Sequence, residues 1–467
     1  MTSTTFSLAA LSLSILLASL GTSIANVALP TLAQAFGASF QQVQWVVLAY
    51  LLAVTTAVVS VGRLGDIVGR RRLLLAGIAL FTAASVLCAA APSLWLLVAA
   101  RALQGLGAAA MMALAMAFVG QAVPKEKTGS AMGLLGSMSA VGTALGPSLG
   151  GVLIAGPGWR TLFLVNLPLG LLALVMAWRF LPADRALPAA QRPRFDQAGT
   201  LLLALVLAAY ALAMTLGRGR FGALNIALLA VAGLGGVLFV LVERRATAPL
   251  VRLAMFRDPL LAGGFAMSAL ATTVVMATLV VGPFYLSCAL GLDAARVGLV
   301  MSCGPVVAAL AGVPAGRLVD RFGASRITQA GLAAMAAGSA ALPTLSASIG
   351  VPGYVGPLAV LTAGFALFQA ANNTAVLADA PADRRGVISG LLNLSRNLGL
   401  VTGASAMGAV YAAAGMQATF AVAAALVGVA LAVAFMVRRS GGTNEKGPVH
   451  KAPGPSKDAL NAASPAR

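Results

Sequence analysis

Apolar residues run along this chain in stretches of about twenty or more, the length one helix needs to cross the roughly 30 Å hydrocarbon core of a bilayer. Short charged or Gly/Pro-rich breaks separate the stretches. They predict fourteen spans, near residues 8–32, 43–62, 73–91, 94–119, 130–154, 162–181, 198–217, 221–242, 259–287, 294–314, 326–347, 353–377, 386–412 and 415–437. The opening MTSTTFSLAA lacks the basic start of a cleavable signal peptide, so the first run is expected to be a retained span. From Arg438 the chain turns polar and rich in Gly, Pro and Ser without apolar periodicity, which reads as a disordered tail over 438–467.

Composition agrees with this pattern. Of the 467 residues, 60% are hydrophobic and only 9% charged, and the mean hydropathy is +0.94, more oil than a soluble core can use. The expected fold class is therefore an all-α polytopic membrane protein.

The net charge of +19 raises the question of a nucleic-acid partner, and the placement of the basic residues answers it. Twenty-five of the 31 Lys and Arg fall in the tail or in and beside the breaks after even-numbered spans, such as Arg63 and Arg70 to Arg72, Arg244 and Arg245, or Arg317 and Arg321. In and beside the breaks after odd-numbered spans stand only Arg160, Arg218, Arg220 and Arg296. By the positive-inside rule the basic breaks and both termini are cytoplasmic, so the charge reports topology and attraction to anionic lipid, and no nucleic-acid partner is expected. Localisation should be the inner (plasma) membrane, multi-pass.

Catalytic chemistry finds little support. Cys88, Cys288 and Cys303 lie in apolar runs without metal-like spacing, and the only histidine, His450, is in the tail. Histidine metal sites, histidine proton relays and Ser/His catalysis inside the membrane are excluded by count. With no clustered carboxylates or Ser/Lys pair in the spans, no enzyme activity, cofactor or metal is expected, and no filter-like loop or charged ring suggests a channel.

The chain also repeats itself. GRLGDIVG (62–69) is echoed by GRLVDRFG (316–323), and GSAMGLLGSMSAVGTALG (129–146) by GVISGLLNLSRNLGLVTG (386–403), at nearly one offset. Duplicated halves follow: a six-helix bundle in 1–181, linker segments with two inserted helices in 182–258, and a second six-helix bundle in 259–437. Parallel repeats with a substrate site between them are a transporter architecture.

At these residues the chain resembles a known family. GRLGDIVGRRR is similar to the loop motif of the major facilitator superfamily, LVAARALQGLGAA to its span 4 motif and GTALGPSLGG to its antiporter motif in span 5. IANVALP, WRTLFLVNLPLG, FDQAG and RRGVISGLLNLSRNLGLVTG resemble the fourteen-helix drug/proton antiporter branch. The resemblance implies major-facilitator bundles, alternating access and export of small amphipathic molecules, coupled to protons. An importer or an uncoupled facilitator is the alternative, and a monomer is expected.

Each motif has a physical reading too. Gly62 and Gly69 permit a tight turn, while Asp66 either docks near Arg385 and Gly386 as a conformational latch or balances Arg70 to Arg72. Gly142, Gly146 and Gly150 form one smooth face of span 5, beside Pro147, which can bend the helix. These are the expected conformational-switch residues.

Polar residues inside spans are costly and usually face a bundle interior or a cavity. Span 1 carries Ser12, Ser19, Ser23 and Asn26; span 12 carries Gln369, Asn372 and Asn373; span 13 carries Ser389, Asn393, Arg396 and Asn397. Such stripes serve either as interhelical glue or as the lining of a central cavity. Met111, Met112, Met116 and Met138 fill core or give that cavity a compliant wall. Arg101 in span 4 is satisfied by backbone carbonyls, Gln104 or water, or else reaches the cavity. Asn26, Arg101, Gln104, Asn373, Asn393 and Arg396 are the expected cavity residues.

All twelve acids fall in breaks, at helix ends or in the tail, and Gly21 stands where the family's span 1 pattern commonly has an aspartate. The coupling acid is thus unassigned, with Asp66 and Asp293 as candidates for a proton carrier. A cavity with arginine and no carboxylate should prefer neutral or anionic amphiphiles.

Overall fold

A computed structural model of the chain describes residues 3–122, 128–184, 197–216, 222–246, 253–378 and 385–444. Fourteen helices are labelled here by span. They are α1 Ser3–Phe36, α2 Trp45–Val68, α3 Arg70–Ala90, α4 Leu94–Ala122, α5 Thr128–Ala155, α6 Asn166–Phe180, α7 Gln197–Thr215 and α8 Ala223–Arg245. The second set is α9 Pro259–Phe284, α10 Cys303–Phe322, α11 Ala324–Ile349, α12 Val351–Ala378, α13 Arg385–Thr402 and α14 Gly408–Asn444. Twelve stretches among the described residues are long and apolar enough to cross a membrane. One of them, Leu391–Arg438, holds two spans, because Gly415 leaves the helical region at φ 73° and ψ −169°. The shorter apolar stretch Val141–Ala155 belongs to α5.

The described residues are all-α: α1–α6 and α9–α14 form two bundles, with α7 and α8 between them in the chain. Helix α14 stays helical to Asn444, beyond Arg438, where the tail was expected to begin; residues 445–467 lie outside the described ones. The break after α2 and the break after α6 lie at one end of the bundle. There Asp184 accepts from the backbone N–H groups of Arg71 and Arg72 (2.7 and 3.1 Å), satisfying first-turn donors of α3 from the break after α6. Ser7 donates to Phe180 O at the same end, 2.7 Å away. This is the basic end; the loops after α1, α5 and α9 form the far end.

The sequence echoes fold alike. GRLGDIVG and GRLVDRFG each end on a glycine with positive φ, Gly69 (113°) between α2 and α3 and Gly323 (84°) between α10 and α11, so one residue reverses the chain in both halves. Carried along the chain, the repeat pairs further glycines. A Cβ on Gly107 would stand 2.7 Å from Gly77 O, and one on Gly364 2.7 Å from Gly331 O, so α3 meets α4 as α11 meets α12. Gly142 and Gly146 lie against the α1 backbone around Leu16 and Ser23, as Gly399 and Gly403 lie against Ala269 and Thr273 of α9. Small residues let helix backbones approach where no water drives association.

The inserted pair is fastened to the bundle through α7. Trp45 Nε1 donates to Thr215 Oγ1 (3.1 Å), and the hydroxyls of Ser60 and Thr200 bond at 2.6 Å, so both ends of α2 are tied to α7. Helix α8 packs on α7, and its Asn225 donates to Ala213 O and Leu216 O, satisfying carbonyls at the end of α7.

Because Gly146 faces the Ser23 side chain and the Ile24 amide with no room for a Cβ, Gly146→Val should push α1 and α5 apart. A loss of about 1–3 kcal/mol is expected from overpacking, read as a lower unfolding temperature of purified protein in detergent. Gly62→Val, at a position with nothing within 4 Å, should leave that temperature nearly unchanged.

Candidate functional site

Helix α1 brings its polar stripe to the glycine face of α5. Ser19 and Ser139 share a hydrogen bond at 2.8 Å, Ser23 donates to Gly142 O at 3.3 Å, and Asn26 donates to Thr22 O and Ser23 O within its own helix. Asn26 is buried. The two stripes read separately in the sequence are therefore the two sides of one interhelical contact, and Asn26, expected on a cavity, lies within the first bundle.

Arg101 and Gln104 are also placed away from any opening, each 0% exposed. The Arg101 Nε donates to Val46 O at 2.9 Å, Nη1 donates to Gln104 Oε1, and Gln104 Nε2 donates to Ser85 Oγ at 2.7 Å. The guanidinium lies 4.2 Å from the centre of the Tyr50 ring, and the Tyr50 hydroxyl donates to Ala18 O at 2.7 Å. One cation on α4 thereby ties α2 directly, α3 through Gln104 and α1 through Tyr50. Gly21 faces the same group: a Cβ there would sit 3.3 Å from the Tyr50 hydroxyl.

The second half differs. Asn372 donates to Gly264 O at 3.1 Å and Ser395 donates to Phe265 O, so α12 and α13 hold adjacent carbonyls of α9. Their chain neighbours Asn373 and Arg396 are exposed at that same depth, with Asn393 half-buried. The direction of this α13 face follows from its far end. Ala404, in the turn Gly403–Met407 that continues α13 and on the side that carries Asn393 and Asn397, accepts from Gln44 Nε2 of the first half at 3.0 Å. The face bearing the polar stripe thus turns toward the other bundle, touching it at the far end and standing open nearer the basic end.

Two other helices repeat that gradient. On α9, Met276, Val280 and Phe284 pack into the core of the first bundle, whereas Ala266, on the same side but nearer the basic end, is exposed. On α1, Val27 packs into the core of the second bundle and Leu20 is buried, while Leu13 and Leu16 on that face are only half-buried. Phe40 meets Phe284 and Tyr411 at ring-centre distances of 4.5 and 5.3 Å, also at the far end. The bundles are closed there and diverge toward the basic end.

The closure consists of two equivalent contacts. Gln44 leads into α2 and abuts Ala404 and Gly408 of the second half. Its repeat counterpart Gly298, in the short helix Ala294–Met301 that leads into α10, abuts Pro147 and Gly151 of the first half, where a Cβ would meet Pro147 O at 2.6 Å. The sequence motifs assign neither Gln44 nor Gly298 a role; extending the repeat offset past the two echoes aligns them.

Among the remaining expected residues, Arg70 Nη1 donates to Ala117 O (3.4 Å) on α4, and Gly65 packs on Leu114. The side chains of Asp66, Arg385 and Ser389, and with them the latch, lie outside the described residues. Asp293 caps the helix Ala294–Met301 by accepting from Arg296 N at 2.8 Å and pairs with the Arg296 side chain at 3.4 Å. Met111 is core, and Met116 is exposed.

If Arg101 is a tie and Arg396 faces the opening, truncation should separate them. Arg101→Ala strands Gln104 and removes the contact to Val46 O, and is expected to lower the unfolding temperature in detergent by several degrees, the mark of buried acceptors left without their donor. Arg396→Ala should leave it within about a degree. Equal shifts for the two would count against this division of roles.

Comparison with known proteins supplies the family. The Major Facilitator Superfamily profile matches residues 11–404 and 261–465. The riboflavin transporter RibZ of Clostridioides difficile (strain 630) is 31% identical over 391 residues, 84% of each chain. The multidrug resistance protein Stp of Mycobacterium tuberculosis is 33% identical over 390 residues, 82% of this chain and 71% of that one. In fold the chain is similar to the crystal structure of the peptide transporter POT, with a TM-score of 0.70 at 16% identity over 93% and 94% of the two chains. The chain belongs to the Major Facilitator Superfamily and is built as a membrane transporter.

Proposed function

We propose that the protein exports small amphipathic molecules across the plasma membrane by alternating access, acting as a monomer of the fourteen-helix drug-exporter branch. The observation that carries this reading is the one-sided closure: two repeat-related contacts join the bundles at the far end, while the polar faces of α12 and α13 stand open nearer the basic end. With the basic end and both termini in the cytoplasm, as the positive-inside rule predicts, the chamber loads from the cytoplasm. The name of the relative Stp, a multidrug resistance protein, supports export of foreign compounds.

Proton exchange is the drive that the resemblance to drug/proton antiporters implies, and Asp66 or Asp293 would have to carry it. Asp293 is engaged as a helix cap and ion-pair partner at the far end. An uncoupled carrier is favoured by that observation, since no span holds an acid in its middle.

Alternation requires the far-end contacts to part and the basic end to close. Gly298→Leu places a side chain where the Pro147 carbonyl and Gly151 backbone now lie, and should shift the population toward the far-end-open state. Spin labels at Ala38 and Ala412 on the two bundles should report a longer mean distance in that variant than in the unaltered chain. An unchanged distance distribution would remove the contact from the gating role. Export itself is tested in proteoliposomes holding the full chain, with cationic, neutral and anionic amphiphiles compared. Protein-dependent flux of at least one class is expected, and none of any class would refute the reading.

A further inference from the structure

We propose that the exported molecule is an amphipathic organic anion, and that the membrane potential acting on its own charge drives export without an exchanged proton. The inference rests on the export reading above and adds to it the charge of the substrate and the source of the energy.

Arg396 carries the argument. It lies eleven residues into α13, about 16 Å along the helix at 1.5 Å per residue, roughly halfway through the hydrocarbon core. Its side chain is exposed on the sector of α13 that turns toward the other bundle, and no hydrogen bond or ion pair joins it to another described residue. Arg101 shows the contrast, with Val46, Gln104 and Tyr50 around it. The repeat partner of Arg396 in the first half is Ser139, which is bonded to Ser19. The fold therefore asks for no cation at this place, since its own duplicate does without one.

Among the described residues no acid pairs with it. Asp66, Glu243 and Asp320 stand in the last turns of α2, α8 and α10, Asp258 and Asp293 cap helices, and Asp184 caps α3. The other six acids, Glu126, Asp196, Asp379, Asp383, Glu445 and Asp458, lie in breaks or the tail. A cation entering the chamber meets a fixed positive charge in a medium of low dielectric; an anion neutralises it and regains a charge-assisted bond to the guanidinium. Asn393 and Asn373 add neutral donors and acceptors, and the apolar faces around them suit the hydrophobic part of the molecule.

The charge also determines the work. A carrier that is neutral when loaded and positive when empty moves one negative charge outward per cycle. With the cytoplasm negative, each 100 mV sustains an outward concentration ratio of about 50-fold for a monovalent anion, the equivalent of roughly 2.3 kcal/mol. No proton carrier is needed for that cycle.

The test uses the full-length protein in proteoliposomes and three probes of matched size: naphthalene-2-sulfonate, its neutral methyl sulfone, and naphthyl trimethylammonium. The sulfonate stays ionised across the pH range, so a pH gradient cannot change its charge. Sulfonate should accumulate at least 10-fold in vesicles made inside-positive by a potassium diffusion potential, and a pH gradient alone at zero potential should change its flux less than 2-fold. Arg396→Gln should cut sulfonate flux at least 10-fold with an unchanged unfolding temperature, and Arg396→Lys should restore part of it. Flux of the ammonium probe but not the sulfonate, or sulfonate flux that follows pH and ignores potential, overturns the inference while leaving export standing. Flux of none of the three takes down the export reading as well.

Discussion

The structure depends on how two helical bundles can touch across a bilayer and still come apart. Inside lipid there is no hydrophobic force between helices, so association rests on close packing and on hydrogen bonds that lipid cannot replace. The far-end closure uses both means, one in each of two equivalent places. Gly298 meets Pro147 and Gly151 with backbone alone, while Gln44 places an amide on Ala404 O beside Gly408. Neither contact contains an ion pair, so their parting strands no buried charge. Under the proposed alternation this joint parts in every cycle, a role it suits better than a salt bridge would, whose rupture in a low dielectric leaves costly uncompensated groups.

Within each bundle the same chemistry is used for permanence. The glycine-lined contacts of α5 with α1 and of α13 with α9 have their nearest atoms on the backbone or on short side chains, leaving little slack for one helix to slide on the other. The Arg101 cluster adds a tie across four helices of the first bundle. Rigid halves and a weak joint between them are what rigid-body alternation needs: motion concentrates where contacts are fewest and least specific.

Much of this was legible in the sequence because hydropathy is a strong signal in lipid, where each span must satisfy its own backbone. Twenty-residue apolar runs marked the spans, and two echoed motifs marked the duplication down to the turn glycines Gly69 and Gly323. The site was less legible. A polar residue in a span says that it avoids lipid, and both a helix–helix contact and a chamber meet that need. Periodicity alone could not separate Asn26, buried against its own helix and beside α5, from Asn373, which is exposed. Arg101 and Arg396 posed the same ambiguity, and only tertiary packing resolved it: one is enclosed by Val46, Gln104 and Tyr50 and the other is exposed. The Asp184 cap on α3 was hidden for another reason, since its partners lie more than a hundred residues away in the chain.

The duplication gives a way to separate scaffold from function. Residues that recur at repeat-related places, such as the paired glycines of α5 and α13, serve needs that both halves share: turning, packing and closing. On the proposed reading a substrate passes between the halves and need not be symmetric, so its recognition should lie where the copies differ. Ser139 and Arg396 occupy one such place, a hydroxyl bonded across a helix contact in one half and an open guanidinium in the other. Gln44 and Gly298 occupy a second, where one copy closes with an amide and the other with bare backbone. In a transporter made from a repeated bundle, such departures from the repeat are where the physics of one particular cargo can enter. Here the departure nearest the middle of the bilayer is a positive charge.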